Sequence, residues 1–504
     1  MKNNDYFNRL LVLLLIVLAV CAGLYELPGK ILEYNIRKVD ILADVRYGGG
    51  AGNDLLDSLR MQLEGVGDRP ADSALLALWQ DVDVLKKTDS VGVGVADSVG
   101  DGVADSIGVV IDSVALSAAR RDSIGRVMGG AQGVADPRGE RIEDYSAGQM
   151  GLKRFFIALG RSRTRNVRIA FMGDSFIEGD IMVADFRSAL QQMFGGRGVG
   201  FVPVTTTSPQ YRPTVDQKAT GWKTSSVVNK KAADYTLSGM LFDAAGERAA
   251  LSFTTTTRYA ALRKVNALKF IYDRNEATDM QLIYNMKDTV ALRLPPTYLP
   301  AQYELSDTVS EGSFTFNNAW GFRAIGLALE DSTGVVVDNY SLRGNSGLVL
   351  EQMDPVRCAA LNAIRPYDLI ILQYGLNAMD EDMLDYGWYG TRMARVVRHV
   401  GLCFPGADIL MIGVPDRANR YNGTPGTMPA VLALLHTQRQ TARSTGTPFW
   451  NMFGAMGGEN SMVGFVDKGW AGKDYTHLTF GGGRELARLL VKVLMKEREF
   501  YDEM

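Results

Sequence analysis

"FMGDSFIEGD" fills positions 171–180. The residues leading into it, "NVRIAFMGD" (166–174), alternate and then run apolar, as a buried strand does. The residues following it, from Ile181 to Phe194, carry apolar side chains at three-to-four spacing, as a helix does. Strand, tight turn and helix together form a unit of a parallel sheet, and in such sheets reactive groups gather at the carboxyl ends of the strands. Ser175 is then either a nucleophile raised at a strand end or the N-cap of the next helix, a role that serine fills well.

Working outward, the same alternation resumes far downstream. "YDLIILQYG" (367–375) and "ADILMIGVPD" (407–416) are apolar strands that end in Gly or Pro. "GTRMARVVRHVGLCF", "MPAVLALLHTQRQTARS" and "GGRELARLLVKVLMKERE" have helical periodicity, as does "GLKRFFIALG" (151–160) before the first strand. Alternating strands and helices predict a parallel sheet covered on both faces. Residues 205–335 have another character. "ERAALSFTTTT", "NALKFIYDR", "MQLIYNM", "TVALRLP", "QYELSD", "GSFTFN" and "FRAIGLALED" are short, β-branched or aromatic, and separated by turn residues. That spacing predicts an inserted β-sandwich-like domain. The α/β domain is therefore read in two pieces, 141–204 and 336–504.

The first 140 residues differ again. Leu10–Tyr25, "LLVLLLIVLAVCAGLY", carries no charge and follows Lys2 and Arg9. It is a little shorter than the ~20 apolar residues of a typical span, and no good small-x-small cleavage site follows it. Residues 1–27 are read as a cytoplasmic tip and uncleaved transmembrane signal anchor in an inner membrane, with the bulk of the chain in the periplasm. Residues 28–140 are read as a low-complexity tether. Within it an Asp-Ser-Val/Ile unit recurs at Asp89, Asp97, Asp105 and Asp112, with glycines every few residues, and so short a unit builds no core. A short helix is expected over Asp72–Leu85.

The chain has 504 residues, 46% hydrophobic and 22% charged, with a net charge of −3. That composition allows a globular core and gives no electrostatic case for a nucleic-acid partner. Cys21, Cys358 and Cys403 form no CxxC pair, which argues against zinc ribbons and thioredoxin-like chemistry. Cys358 and Cys403 are either two buried thiols or a pair in an oxidising compartment.

Acyl transfer needs a hydroxyl, a base to take its proton, a group that orients the base, and donors for the oxyanion. The chain has three histidines. His399 and His436 fall inside helical patterns, whereas His477 lies in the Gly-rich loop "KDYTHLTFGG" with Asp474 one turn before it. Asn377 in "YGLNA" and Gly344 in "NYSLRGNSG" stand at expected strand ends, offering a side-chain amide and an unobstructed backbone N–H. Each also has a plain structural reading: Asn377 as a turn or cap, Gly344 as a turn glycine, Asp474 with His477 as a surface cap pair. Glu178 and Asp180 either line a pocket mouth or favour a helix N-terminus. Trp222, Trp320 and Tyr303 either stack on sugar rings or fill the sandwich core.

Taken in order, Gly173-Asp174-Ser175, Gly344 (with Gly347 as a competitor), Gly375-x-Asn377 and Asp474-x-x-His477 resemble the blocks of the SGNH (GDSL-like) hydrolase superfamily. "GTPFWNMFGAMGG" (446–458) resembles it too, and the likeness spans about 165–205 and 336–500. Ala378 stands where the family usually has Asp. With its β-rich lobe, "GDSFIEGDIMVADF" and "GRGVGFVP", the chain further resembles peptidoglycan O-acetylesterases of Gram-negative envelopes, whose extra lobe is likened to a carbohydrate-binding module. The resemblance implies a flavodoxin-like three-layer α/β/α domain and a carboxylic ester hydrolase of the acetylesterase type. Ser175 would be the nucleophile, His477 the base and Asp474 its orienting acid. Ser175, Gly344 and Asn377 would form the oxyanion hole, with no metal and no cofactor. The implied partner is an acetylated polysaccharide or peptidoglycan. Two further readings stay open: an O-acetyltransferase working beside a membrane acyltransferase, and an inactive tethered glycan-binding protein.

Overall fold

The computed structural model describes residues 30–31, 34–35, 135–206, 212–229 and 234–502. The chain divides into two units, residues 1–94 and 95–504. In the first, the described residues form one antiparallel pairing, Lys30–Ile31 with Tyr34–Asn35. The apolar run at 10–25, the Asp-Ser repeat, the expected helix over 72–85 and Cys21 lie outside the described residues. Among the described residues no helix is long and apolar enough to cross a membrane.

In the second unit, five parallel strands form the sheet that carries the candidate site: β1 (Asn166–Gly173), β2 (Gly334–Ser341), β3 (Leu369–Gln373), β4 (Asp408–Ile412) and β5 (Phe449–Trp450). Their spatial order is β2-β1-β3-β4-β5, the flavodoxin-like order. Helices α1 (Lys153–Leu159), α2 (Val183–Phe194), α3 (Pro355–Ile364), α4 (Gly387–Cys403), α5 (Pro429–Thr445), α6 (Met452–Met456), α7 (Ser461–Asp467) and α8 (Phe480–Asp502) cover it. The period of two along β1 shows why both faces are apolar. Val167, Ile169 and Phe171 pack with Phe156, Phe186, Leu486 and Leu490 of α1, α2 and α8. Ala170 and Met172 face the other way, with Leu361, Met393 and Leu434 of α3, α4 and α5. The three layers follow directly from that alternation.

Between β1 and β2 the chain builds two antiparallel sheets. One runs, in spatial order, 288–293, 279–284, 311–317, 248–255 and 215–220; the other runs 301–305, 267–274, 323–330, 240–244 and 222–226. Aromatic rings fill the space between them; Phe270 lies 4.8 Å from Phe316 and 5.3 Å from Phe314, centroid to centroid. Strand Arg323–Glu330 is buried at every position. Its one face meets this core, where Leu327 and Leu329 pack, and Ile325 and Ala328 belong to the core shared with the α/β layers.

Two details differ from the sequence-based expectation. Described structure reaches back to Asp136, inside the stretch read as tether (28–140). Asp136 accepts the N–H groups of Arg138, Glu140 and Arg141, and its carbonyl takes the Asn451 amide at 2.9 Å. Strand Gly200–Pro203, read as the glycine-rich end of the first α/β piece, pairs antiparallel with Gly326–Leu329 of the sandwich. Asp338 of β2 secures it by accepting the Phe201 N–H at 2.8 Å. Of the two readings of Cys358 and Cys403, the structure shows the buried thiols.

Candidate active site

Ser175 lies in a turn two residues past the end of β1, the strand between β2 and β3 where the order reverses. It caps no helix: a short turn of 3-10 helix, Glu178–Asp180, follows it, and α2 begins only at Val183. Its Oγ is 3.2 Å from Nε2 of His477. Nδ1 of His477 is 2.7 Å from Oδ2 of Asp474, and Oδ1 of the same carboxylate accepts the His477 N–H at 3.1 Å. Three residues separated by 302 positions at the widest thus form one continuous relay. Burial pushes the Asp474 carboxyl up, but the His477 ring and the N–H groups of His477 and Thr476 outweigh it and hold it below its ordinary value. The imidazole is fixed by a charged acceptor, which leaves Nε2 for the hydroxyl. His399 and His436 lie within α4 and α5, as their patterns required.

Gly344 follows β2 in a left-handed conformation, φ +77. Among the described residues neither its N–H nor that of Ser175 has a hydrogen-bond partner. Gly347, the competitor, is buried; its N–H is taken by Oδ1 of Asn345, and a Cβ there would lie 2.8 Å from Tyr374. Asn377 follows β3. Its amide donates to Oδ2 of Asp174 at 3.0 Å and to the Asn345 carbonyl at 3.3 Å. All five singled-out residues therefore sit at the carboxyl end of the sheet or in the loop facing it, with the Asn377 amide bonded to its neighbours.

Several participants were not singled out in the sequence. Asp174 is fully buried, and burial raises its carboxyl to about 6 against the hydrogen bonds from Phe176 and Asn377. A hairpin, Ala418–Tyr421 with Thr424–Thr427, braces two loops of the site. Asn419 donates to Glu381 at 2.6 Å in the Asn377 loop, and the Arg420 guanidinium lies 5.6 Å from the ring centre of Tyr475. Asp180 does not line a mouth. It is fully buried, accepting from Arg187, Arg212, Thr214 and Asn339. Glu178 pairs with Arg343, the residue before Gly344. Trp222 packs on Phe316 and Phe322, while Trp320 is 69% exposed and Tyr303 flanks the sandwich core. Among the described residues no group of three or more His, Cys, Asp or Glu is placed to hold a metal ion.

A solved structure of a peptidoglycan O-acetylesterase superposes with a TM-score of 0.56 at 23% identity, covering 71% of this chain and 99% of that one. At that identity the likeness is one of fold. A family two carbohydrate esterase from Cellvibrio japonicus matches at TM-score 0.24 and 11% identity, covering 57% of this chain and 99% of its own. A lipase/acylhydrolase from Enterococcus faecalis gives 0.23 and 15%, covering 32% and 77%. The last two scores are too low to carry an argument. No protein-family model and no curated protein matches the chain. The four sequence blocks singled out above fall at the ends of β1, β2 and β3 and in the loop before α8.

Proposed function

We propose that the chain is a serine esterase that removes O-acetyl groups from a cell-envelope glycan, with peptidoglycan as the leading substrate. The observation that carries this is the unbroken relay from Ser175 Oγ through the His477 ring to Asp474, at 3.2 and 2.7 Å. The Ser175 oxygen attacks the acetyl carbonyl as its proton passes to Nε2 of His477. The C–O bond to the sugar breaks, and the sugar oxygen leaves with that proton. Water then attacks the acetyl-Ser175 ester, gives its proton to His477 and releases acetate with Ser175 restored. The N–H groups of Ser175 and Gly344 face the developing oxyanion. Asn377 completes the set by turning one N–H away from Asp174 or Asn345. Each such donor is worth ~10²–10³ in rate.

The substrate class is supported by the likeness to a structure described as a peptidoglycan O-acetylesterase. It is also supported by openness. The His477 and Asp474 side chains are 43% and 53% exposed, which suits a polymer better than a small buried ligand. The apolar run at 10–25 would hold the enzyme to the inner membrane with the SGNH fold on the periplasmic side; protease digestion of spheroplasts that spared residues 135–504 would overturn that placement.

The full-length protein is expected to hydrolyse p-nitrophenyl acetate, and Ser175→Ala to lower kcat by ~10⁴ or more. A fluorophosphonate should label Ser175 as mapped by peptide mass, and an adduct at another residue would overturn the assignment. Mass spectrometry of acetylated glycan after incubation reads acetate release against acetyl gain. Gain alone would make the enzyme a transferase.

A further inference from the structure

The two backbone donors of the proposed oxyanion site sit on loops that leave neighbouring strands. Ser341 of β2 lies beside Gly173 of β1, and the Leu342 N–H donates to the Gly173 carbonyl at 2.9 Å. Beyond that point the Asn345 N–H closes a turn on the Leu342 carbonyl at 3.2 Å, and Arg343 and Gly344 form its outer corner. Gly344 is exposed, a Cβ there would find only Val228 at 3.9 Å, and its N–H is unpartnered among the described residues. On its far side Asn345 is buried and holds Gly347. On its near side Arg343 reaches across and pairs with Glu178. Glu178 in turn donates its backbone N–H to the Ser175 carbonyl at 3.3 Å. The Glu178 side chain is 14% exposed and that of Arg343 57%. The carboxylate is thus seated in the Ser175 turn, and the guanidinium comes to it from the outer loop.

We propose that Glu178 and Arg343 are positioning residues, a clasp that sets the spacing between the Ser175 and Gly344 N–H groups. The proposal rests on the esterase reading above and goes beyond it by assigning what holds the two donors in register. Oxyanion donors act only when they lie ~2.7–3.1 Å from the charge they stabilise. A half-exposed ion pair contributes little to global stability. Its removal therefore moves rate far more than melting temperature, because a misplacement of even ~1 Å costs rate steeply. A competing role for Arg343 is a direct grip on substrate, and the two roles separate in a double-mutant cycle.

In the full-length protein, Arg343→Ala and Glu178→Ala are each expected to lower kcat on p-nitrophenyl acetate by roughly tenfold, with KM changed less than about twofold. The double variant is expected to fall no further than the singles, since a clasp is lost only once. Arg343→Lys should recover part of the rate. Losses that multiply in the double variant, or a raised KM at unchanged kcat, would instead assign Arg343 to substrate. Wild-type kcat in either single variant would remove the clasp. Amide hydrogen exchange across residues 341–347 reads the clasp without turnover. It should quicken equally in both singles and the double, and unchanged exchange overturns the proposal even if the chain proves not to be an esterase. Conversely, turnover insensitive to Ser175→Ala sinks the esterase reading and leaves the exchange result standing.

Discussion

Asp174 precedes the proposed nucleophile, has no solvent exposure, and is hydrogen-bonded to the Phe176 N–H at 2.9 Å and the Asn377 amide at 3.0 Å. Two donors do not offset the loss of water, and the carboxyl rises from 3.8 to about 6. A raised acid binds its proton more tightly folded than unfolded, so wild-type stability falls as pH rises through that window. The ionised form costs up to about 3 kcal/mol at 1.36 kcal/mol per pH unit. Asp174→Asn cannot ionise. Its stability relative to wild type should therefore rise by up to about 3 kcal/mol between about pH 3.5 and about pH 7.5, measured by urea unfolding. The comparison across pH cancels the fixed cost of disturbing Asn377. A difference that stays flat with pH would mean that Asp174 does not titrate in this range. The sequence showed that an Asp stands before Ser175. Its burial comes from β1 and β3 closing around it, which no local pattern displays. The Glu178–Arg343 pair was hidden for the same reason, since its partners are 165 positions apart.

Among the elements, legibility followed apolar pattern, alternating or continuous. The seven short segments quoted between 205 and 335 all form strands; some set buried residues against less buried ones at period two, as Gly312, Phe314 and Phe316 do along Glu311–Asn317, while Ala267–Arg274 and Arg323–Glu330 are buried almost throughout and read as apolar runs. Strands Val215–Thr220 and Trp222–Ser226, "VDQKAT" and "WKTSS", went unread; polar side chains dominate both, and pairing with 248–255 and 240–244 holds them. The loops of the site were read by motif instead, and glycine shows what their geometry demands. Gly375, just past β3, has φ +135, and a Cβ there would lie 2.3 Å from Val414 and 2.8 Å from the Gln438 amide. That amide donates to the Tyr374 carbonyl at 2.7 Å, tying α5 to the loop that carries Asn377. Gly375→Ala adds overpacking to an unfavourable φ, for a loss of about 2–4 kcal/mol. It should also slow fluorophosphonate labelling of Ser175, because Asn377 moves with the loop. A variant as stable and as readily labelled as wild type would show that the loop yields without cost.

Over the whole molecule, two buried charge clusters bind the sandwich to the parallel sheet. Glu330, at the end of strand 323–330, has no exposed side-chain surface and meets Arg168 of β1 at 2.8 Å, Arg365 at 2.9 Å and Lys269 of the sandwich at 3.0 Å. Arg365 continues to Asp338 of β2 at 2.7 Å. Nearer the site, Asp180 joins Arg187 of α2 to Arg212 and Thr214, which lead into the first sandwich strand. The sandwich therefore keeps a fixed relation to Ser175, and the two layers are expected to unfold together. Removing one partner from a buried cluster leaves the others uncompensated, at a cost of about 3–5 kcal/mol. Glu330→Gln should lose that much at neutral pH, in a single urea transition followed by circular dichroism. Burial pushes the Glu330 carboxyl up, but Arg168, Arg365 and Lys269 outweigh it and hold it well below its ordinary 4.5. The stability it contributes is complete above that value and fades as pH falls towards the lowered one. The gap between variant and wild type should accordingly narrow in acid. Two separate transitions in the variant, with Ser175 labelling preserved after the first, would mean that the sandwich melts away from an autonomous α/β layer and that Glu330 only docks it.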